Sequence, residues 1–459
     1  MKSILAIAGL TVRASIRYRF FIVMAISLVL LVYLLPVMLK HDGTAEGLLQ
    51  ILITYTLGAV FLLLGASTLW MSCGVLSRDI EDCTIQVLVV KPVAKWKIWF
   101  GKWLGIFFIN FFMLKLCGLF LFGLIAQRAA QLPQEQQIIL QEELLVGRGV
   151  VNRMIDDPLP LVNEIYKERM KTSPEFAMLK TEYAMTQLEK QVRAENQTIP
   201  SYHGRIFDVD LGGVIGKVKD KPLQLQLKFN PSGKDLNNRY SLNLILGNTA
   251  STNSVSKQVV LPANRATAIS IPANLVDEQG KISVQIQNMS NFDLSFPEED
   301  GIQILFNEYG FRLNFMRGLE ILLFWLSLLS AIGLAAGSFL SFPVASFLSL
   351  SVLLIGMCTG MLTEVVEDGT LLTAGFKGPL LIRIAVDVVF LSIFKAIVTI
   401  FGWAMGYSPI EQISTGRSIS WTQMFLGFLQ IVVLMGGVCA AFGMTVFSRR
   451  ELATAQNQQ

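Results

Sequence analysis

Side chains able to do acid–base, nucleophilic or metal chemistry are few in this sequence. His41 and His203 are the only histidines, too few for a histidine-ligated metal or haem, and no Ser/His/Asp or Cys/His set assembles around either. Cys73, Cys83, Cys117, Cys358 and Cys439 lie in or beside apolar segments with no Cys-x-x-Cys pair, which excludes a disulfide framework and a thiolate metal knuckle. Gly212-Gly213-Val214-Ile215-Gly216-Lys217 lacks the spacing and the hydroxyl of a phosphate-binding loop, so the chain has no nucleotide engine. No catalytic residue, metal ligand or cofactor is assigned to this chain.

What remains is charge in unusual places. Lys115 sits midway through an apolar run, where a cation is costly and marks a functional candidate. Arg383, Asp387 and Lys395 share roughly one helical face of another run; Arg383 and Asp387 can neutralise each other, and Asp387 can also pair with Lys115. The densest pattern is the stretch from 76 to 102. Asp79, Glu81 and Asp82 open it, where a helix amino terminus favours negative charge, and Ile80, Thr84, Val87 and Leu88 fall on one face before Pro92 and Val93. A short amphipathic helix is expected over 79–92. Lys95, Lys97 and Lys102 then lie where the chain re-enters anionic headgroups, with Gly101 allowing a bend.

The elements that must hold these residues are membrane spans. The 459 residues are 53% hydrophobic, with 30 Phe, a mean hydropathy of +0.53 and 16% charged residues against roughly 25% in soluble domains. About 20 apolar helical residues cross a bilayer, and stretches 20–39, 48–75, 103–125, 319–340, 343–362 and 421–447 qualify. Cationic flanks at Lys2, Arg13, Arg17 and Arg19, at Arg78 to Lys102, and at Arg449 and Arg450 put both termini and the 77–102 loop in the cytoplasm. A seventh apolar stretch, 379–405, would move Arg449 and Arg450 outside if it spanned. It is read as a re-entrant or interfacial hairpin on the outer side, the alternative being a seventh span. A net charge of +4 is too small to argue for nucleic acid.

Residues 126–316 hold 20 basic and 22 acidic side chains and form one polar extracytoplasmic domain. Its first part, 129–197, reads as a helical stalk, with Met178, Leu179, Met185, Leu188 and Val192 recurring at spacings near 3 and 4. From 205 to 310 the period changes to two: Leu223, Leu225, Leu227 and Phe229, then Leu242, Leu244 and Leu246, then Ile282, Val284 and Ile286. That pattern predicts an antiparallel β-sandwich. The fold class is thus a polytopic α-helical membrane protein with an α+β outer domain.

The ordered loop residues Glu81, Thr84, Leu88, Pro92, Val93, Ile98, Gly101 and Lys102, with Asp79 ahead of them, resemble the coupling-helix signature of type 2 ABC exporter permeases. Cys83 departs from it, standing where that family has Gly. Gly416-Arg417-Ser418-Ile419-Ser420 before the last span and Phe447-Ser448-Arg449-Arg450-Glu451-Leu452 after it look like the same superfamily, closest to the copper-enzyme maturation permease group. The resemblance implies a transmembrane subunit in a bacterial cytoplasmic membrane, paired with a second permease subunit and served by a separate cytoplasmic ATPase that binds ATP and Mg. The outer domain, which departs from the compact family plan, would receive or hand on substrate or contact an envelope partner. Two other readings fit the same composition: a membrane-anchored envelope-binding scaffold, and an ion-coupled transporter using Lys115, Arg383 and Asp387. The absence of visible inverted repeats counts against the latter.

Overall fold

The computed structural model describes residues 2–17, 19–39, 44–82, 84–85, 93–155, 157–172, 181–214, 216, 223–233, 239–247, 254–272, 275–277, 279–298, 300–368, 380–405 and 408–450. The chain divides into two compact units, Met1–Val146 with Gly310–Gln459, and Gly147–Tyr309.

The first unit is helical because its long apolar runs leave backbone groups no partner but their own chain. Helix α1, Lys2–Arg17, precedes α2, Arg19–Met38. A short turn, Ala45–Leu49, and a π-helical stretch, Gln50–Leu57, lead into α3, Gly58–Glu81. Then follow α4, Lys95–Ala129; α5, Phe311–Gly337; α6, Phe342–Met357; α7, Thr359–Asp368; α8, Leu380–Met405; α9, Pro409–Ser414; and α10, Trp421–Arg449, whose middle, Phe428–Gly436, is π-helical. Among the described residues five helices are long and apolar enough to cross a membrane: Phe21–Met38, Gly47–Glu81, Lys95–Ala129, Phe311–Gly337 and Trp421–Arg449. Helix α5 is the hub, with 78% of its apolar window buried, and it packs against α3, α4, α6 and α10.

Two expectations change here. The stretch expected to span at 343–362 is interrupted at Cys358, whose amide is shared between the carbonyls of Leu354 and Ile355. The resulting α6 has 16 residues, about 24 Å of helix against the roughly 30 Å of a hydrocarbon core. The hairpin expected within 379–405 is instead one continuous helix of 26 residues. No Pro or Gly lies between Leu380 and Ile400 to turn it; the expectation of a hairpin rests on the sidedness of Arg449 and Arg450, not on any helix breaker in the stretch. Helix α8 packs against α7, and a Cβ added to Gly356 of α6 would come within 2.9 Å of Phe401.

The second unit, 147–309, is smaller than the 126–316 insert read from composition. Leu132, Leu140 and Leu144 are buried in the core of the first unit, and Gln136 Oε1 accepts a hydrogen bond from the Ala45 amide at 3.0 Å. Strand β1, Val146–Asn152, interrupts the region expected to be wholly helical; its two glycines and Arg148 hide the alternation. Helices Leu159–Thr172 and Thr181–Gln197 pair through Val162, Leu188 and Val192, as the spacing of Leu188 and Val192 predicts. Met178 and Leu179, also expected on that face, lie outside the described residues.

The period-two runs become strands: β2, Thr198–Ile199; β3, Gly204–Asp210; β4, Leu223–Leu227; β5, Asn230–Pro231; β6, Arg239–Leu246; β7, Val255–Pro262; β8, Thr267–Ile271; β9, Lys281–Asn288; β10, Leu294–Ser295; and β11, Ile302–Gly310. They form sheets ordered β1-β11-β4-β8, β3-β9-β6-β7 and a small β2-β10-β5. Antiparallel pairing sets Leu225 opposite Ile304 and Ile269, and Leu244 opposite Ile286. Their inward side chains share one core with Phe229 and Phe296. Alternation alone places them there, because a one-residue slip would turn every Leu outward.

Candidate functional site

The candidate site is the junction between α3 and α4. Asp79 and Glu81 occupy the last turn of α3, and Asp82 caps it. Thr84 Oγ1 donates to the Asp79 carbonyl at 3.3 Å, holding the chain as it leaves the helix. Leu88 and Pro92 lie outside the described residues. Val93 returns against Ile98, Trp99, Leu76 and Phe447. The expected amphipathic helix over 79–92 is therefore described only at its start, 79–82 and 84–85, and Asp79 to Glu81 belong to α3 rather than to a separate helix.

Lys102 is not a headgroup contact. It is 4% exposed, and its ammonium donates to the Val75 carbonyl at 2.8 Å and pairs with Asp79. A buried cation persists only when its charge and donors are satisfied, and here both partners come from the last two turns of α3. Nor does Gly101 bend the chain, since α4 runs unbroken from Lys95 to Ala129. Its role is close packing: a Cβ there would lie 2.8 Å from Ile7 Cβ, and one on Gly105 would lie 2.7 Å from Thr11 Cβ. The Gly-x-x-x-Gly face of α4 seats α1.

The remaining polar groups stitch helix ends together. Glu81 Oε1 accepts from the Phe342 amide at 2.9 Å, a carboxylate at the positive end of α6. Arg78 stacks 4.0 Å over the Phe342 ring. Lys95 Nζ donates to the Ser448 and Arg450 carbonyls at 2.9 and 3.0 Å, a cation at the negative end of α10. Arg450 in turn donates to the Ser338 carbonyl at 3.1 Å, just past α5. The ends of α3, α5 and α10 and the starts of α4 and α6 thus meet at one end of the bundle.

At the other end Asn314 holds the chain before α10. Its Nδ2 donates to the Arg417 carbonyl and its Oδ1 accepts from the Ile419 amide, both at 2.7 Å. Arg317 donates to the Ile419 carbonyl at 2.7 Å and stacks 4.4 Å over Trp421. Gly416, at φ 70°, makes the turn that lets this loop fold back onto α5. The Gly416 to Ser420 segment noted in the sequence is therefore an anchored return loop.

Lys115 pairs with Glu320 of α5 at 2.6 Å. Glu320 was the missed signal: it lies inside the 319–340 apolar run, and an acid in a span calls for a cation in another. Thr68 donates to Asn110 Oδ1 at 2.9 Å between α3 and α4, a second polar contact in apolar surroundings that sequence reading passed over. Arg383 and Asp387 lie in α8 and their side chains are outside the description; Lys395 is exposed on the same helix. Among the described residues no cluster of His, Cys, Asp or Glu could hold a metal ion.

The chain matches no family model, no curated protein and no solved structure.

Proposed function

We propose that this chain is the transmembrane subunit of an ATP-driven ABC transporter of the exporter type, working as a dimer with a second permease subunit and a separate cytoplasmic ATPase that holds ATP and Mg. The observation that carries the reading is the stitched end of the bundle. Both ends of the 82–94 loop are tied by Asp79–Lys102, Glu81–Phe342 and Lys95–Ser448 contacts to four helices at once. A push on that loop is passed to α3, α4, α6 and α10 together, rather than absorbed by one flexible strand. Nucleotide-driven closure of two ATPases would then rock the bundle, with the differential affinity of its two conformations for ATP supplying the work.

The topology read alongside keeps the expected six spans: the five helices long enough to cross, α2 to α5 and α10, with one further crossing contributed by the region of α6 to α8. The return of Ser448 and Arg450 to Lys95 supports a carboxyl terminus on the same side as the 77–102 loop, against a seventh span. Unit 147–309 would be the extracytoplasmic β-sandwich with its helical stalk, available to substrate or an envelope partner.

The test is purification of the tagged full chain from its native membrane in mild detergent, followed by mass spectrometry. An ABC ATPase should co-purify with the native chain and be lost from Leu88→Asp while the membrane subunit stays monodisperse. Recovery without any ATPase, or with equal ATPase in both samples, would refute the assignment.

A further inference from the structure

Between α1, α2 and the carboxyl-terminal half of α3 lies a cavity of about 550 Å³, within the roughly 300–1,000 Å³ of small-molecule sites. Its lining changes character along its length. Leu10, Phe21, Met24 and Trp70 form an apolar end, and Arg78, Asp79, Asp82 and Lys102 form a charged end. Trp70 and Asp82 are twelve residues apart along α3, so the gradient extends over about 18 Å. That is the profile of an amphiphile, with a chain at one end and a head at the other.

The charged end specifies the head. Lys102 and Asp79, both in the lining, neutralise each other. Arg78 has one face on the Phe342 ring and, like Asp82, has no ion-pair partner among the described residues. These two groups of opposite sign are one helical turn apart at the carboxyl-terminal end of α3, and Thr84 lines the cavity with them. An anionic head would satisfy Arg78 and be repelled by Asp82, and a simple cation would do the reverse. A head carrying both a phosphate and an ammonium satisfies both, the guanidinium gripping phosphate oxygens and the carboxylate accepting from the ammonium.

We propose that this cavity binds one acyl chain and the head of a zwitterionic phospholipid from the cytoplasmic leaflet, with phosphate on Arg78 and ammonium on Asp82. The inference rests on reading α2, α3 and α4 as spans and is independent of any ATPase partner. It would make α1 a lipid-wedged element beside the coupling loop.

The test uses the full-length chain, delipidated in detergent, incubated with phosphatidylethanolamine or with phosphatidylglycerol, and weighed by native mass spectrometry. One phosphatidylethanolamine per chain should be retained, with about a tenfold preference over phosphatidylglycerol. Ala14→Trp, at an exposed position of α1 that lines the cavity, should abolish retention of both lipids. Asp82→Asn should keep retention but erase the preference, and it decides the matter alone if Ala14→Trp does not give a monodisperse protein. Equal retention of the two lipids by the native chain, or a preference that survives both substitutions, would overturn the proposal. Loss of a co-purifying ATPase would bear on the transporter assignment and leave this result untouched.

Discussion

Lys102 and Asp79 form one ion pair with unequal stakes. The lysine side chain is 5% exposed and the aspartate 36%, so removing the aspartate strands a buried cation, whereas removing the lysine leaves a carboxylate that water can reach. Asp79→Asn should therefore cost about 3 kcal/mol, the low end of what breaking a buried pair costs, with Lys102→Met costing less and the double substitution recovering most of the loss. Thermal unfolding of the four proteins in one detergent checks the order. Equal losses that simply add would mean that the pair is not coupled. Residue-scale partners were the least legible part of the site. The chemistry of Lys102 and Lys115 was plain in the sequence, but Asp79 and Glu320 become their partners only through helix packing, so a lysine read as facing headgroups turned out to be buried.

At the scale of elements, the seam between α1 and α4 depends on the absence of two side chains. Gly105→Leu has no room, because Thr11 Cβ and the Ala8 carbonyl lie 2.7 and 2.9 Å from the position of a new Cβ. The substitution should free α1, so that trypsin cleaves at Arg13 and Arg17 about tenfold faster, corresponding to about 1.4 kcal/mol of weakened docking. Gly9→Leu, on the same helix but with nothing within 4 Å, is the control that should leave cleavage unchanged. Helix existence was legible wherever apolar runs exceeded a bilayer width, and the strands β4, β6 and β9 were legible because each alternates cleanly. Breaks and joins were not. The interruption at Cys358 is a local change of hydrogen bonding that composition does not mark, and the continuity of α8 was obscured by weighing the sidedness of Arg449 and Arg450 above its lack of helix breakers. Strand β1 was missed because Gly147 and Gly149 carry no periodicity; Gly149 is there to let the Phe306 ring pass, since a Cβ would fall 2.3 Å from it.

At the scale of the whole molecule, the same helix ends that build the candidate site also constrain sidedness. Lys95, Ser448 and Arg450 meet at one end of the bundle, and the proposed topology puts the 77–102 loop and the segment after α10 in one compartment. In a background lacking the native cysteines, Lys257→Cys on exposed strand β7 should label with an impermeant maleimide in intact cells, and Ser448→Cys only after permeabilisation. Labelling of both from outside would remove the cytoplasmic setting that an ATPase requires.

The central claim is that the loop after α3 transmits work from a separate ATPase. ATP hydrolysis by the purified complex in proteoliposomes, compared between the native chain, Leu88→Asp and the outer-unit control Lys257→Ala, tests it most directly. The account predicts that Leu88→Asp lowers the rate at least about tenfold, a loss of roughly 1.4 kcal/mol or more of coupling, while Lys257→Ala leaves it unchanged. Equal rates in all three, or no hydrolysis above empty liposomes with the native chain, would contradict it.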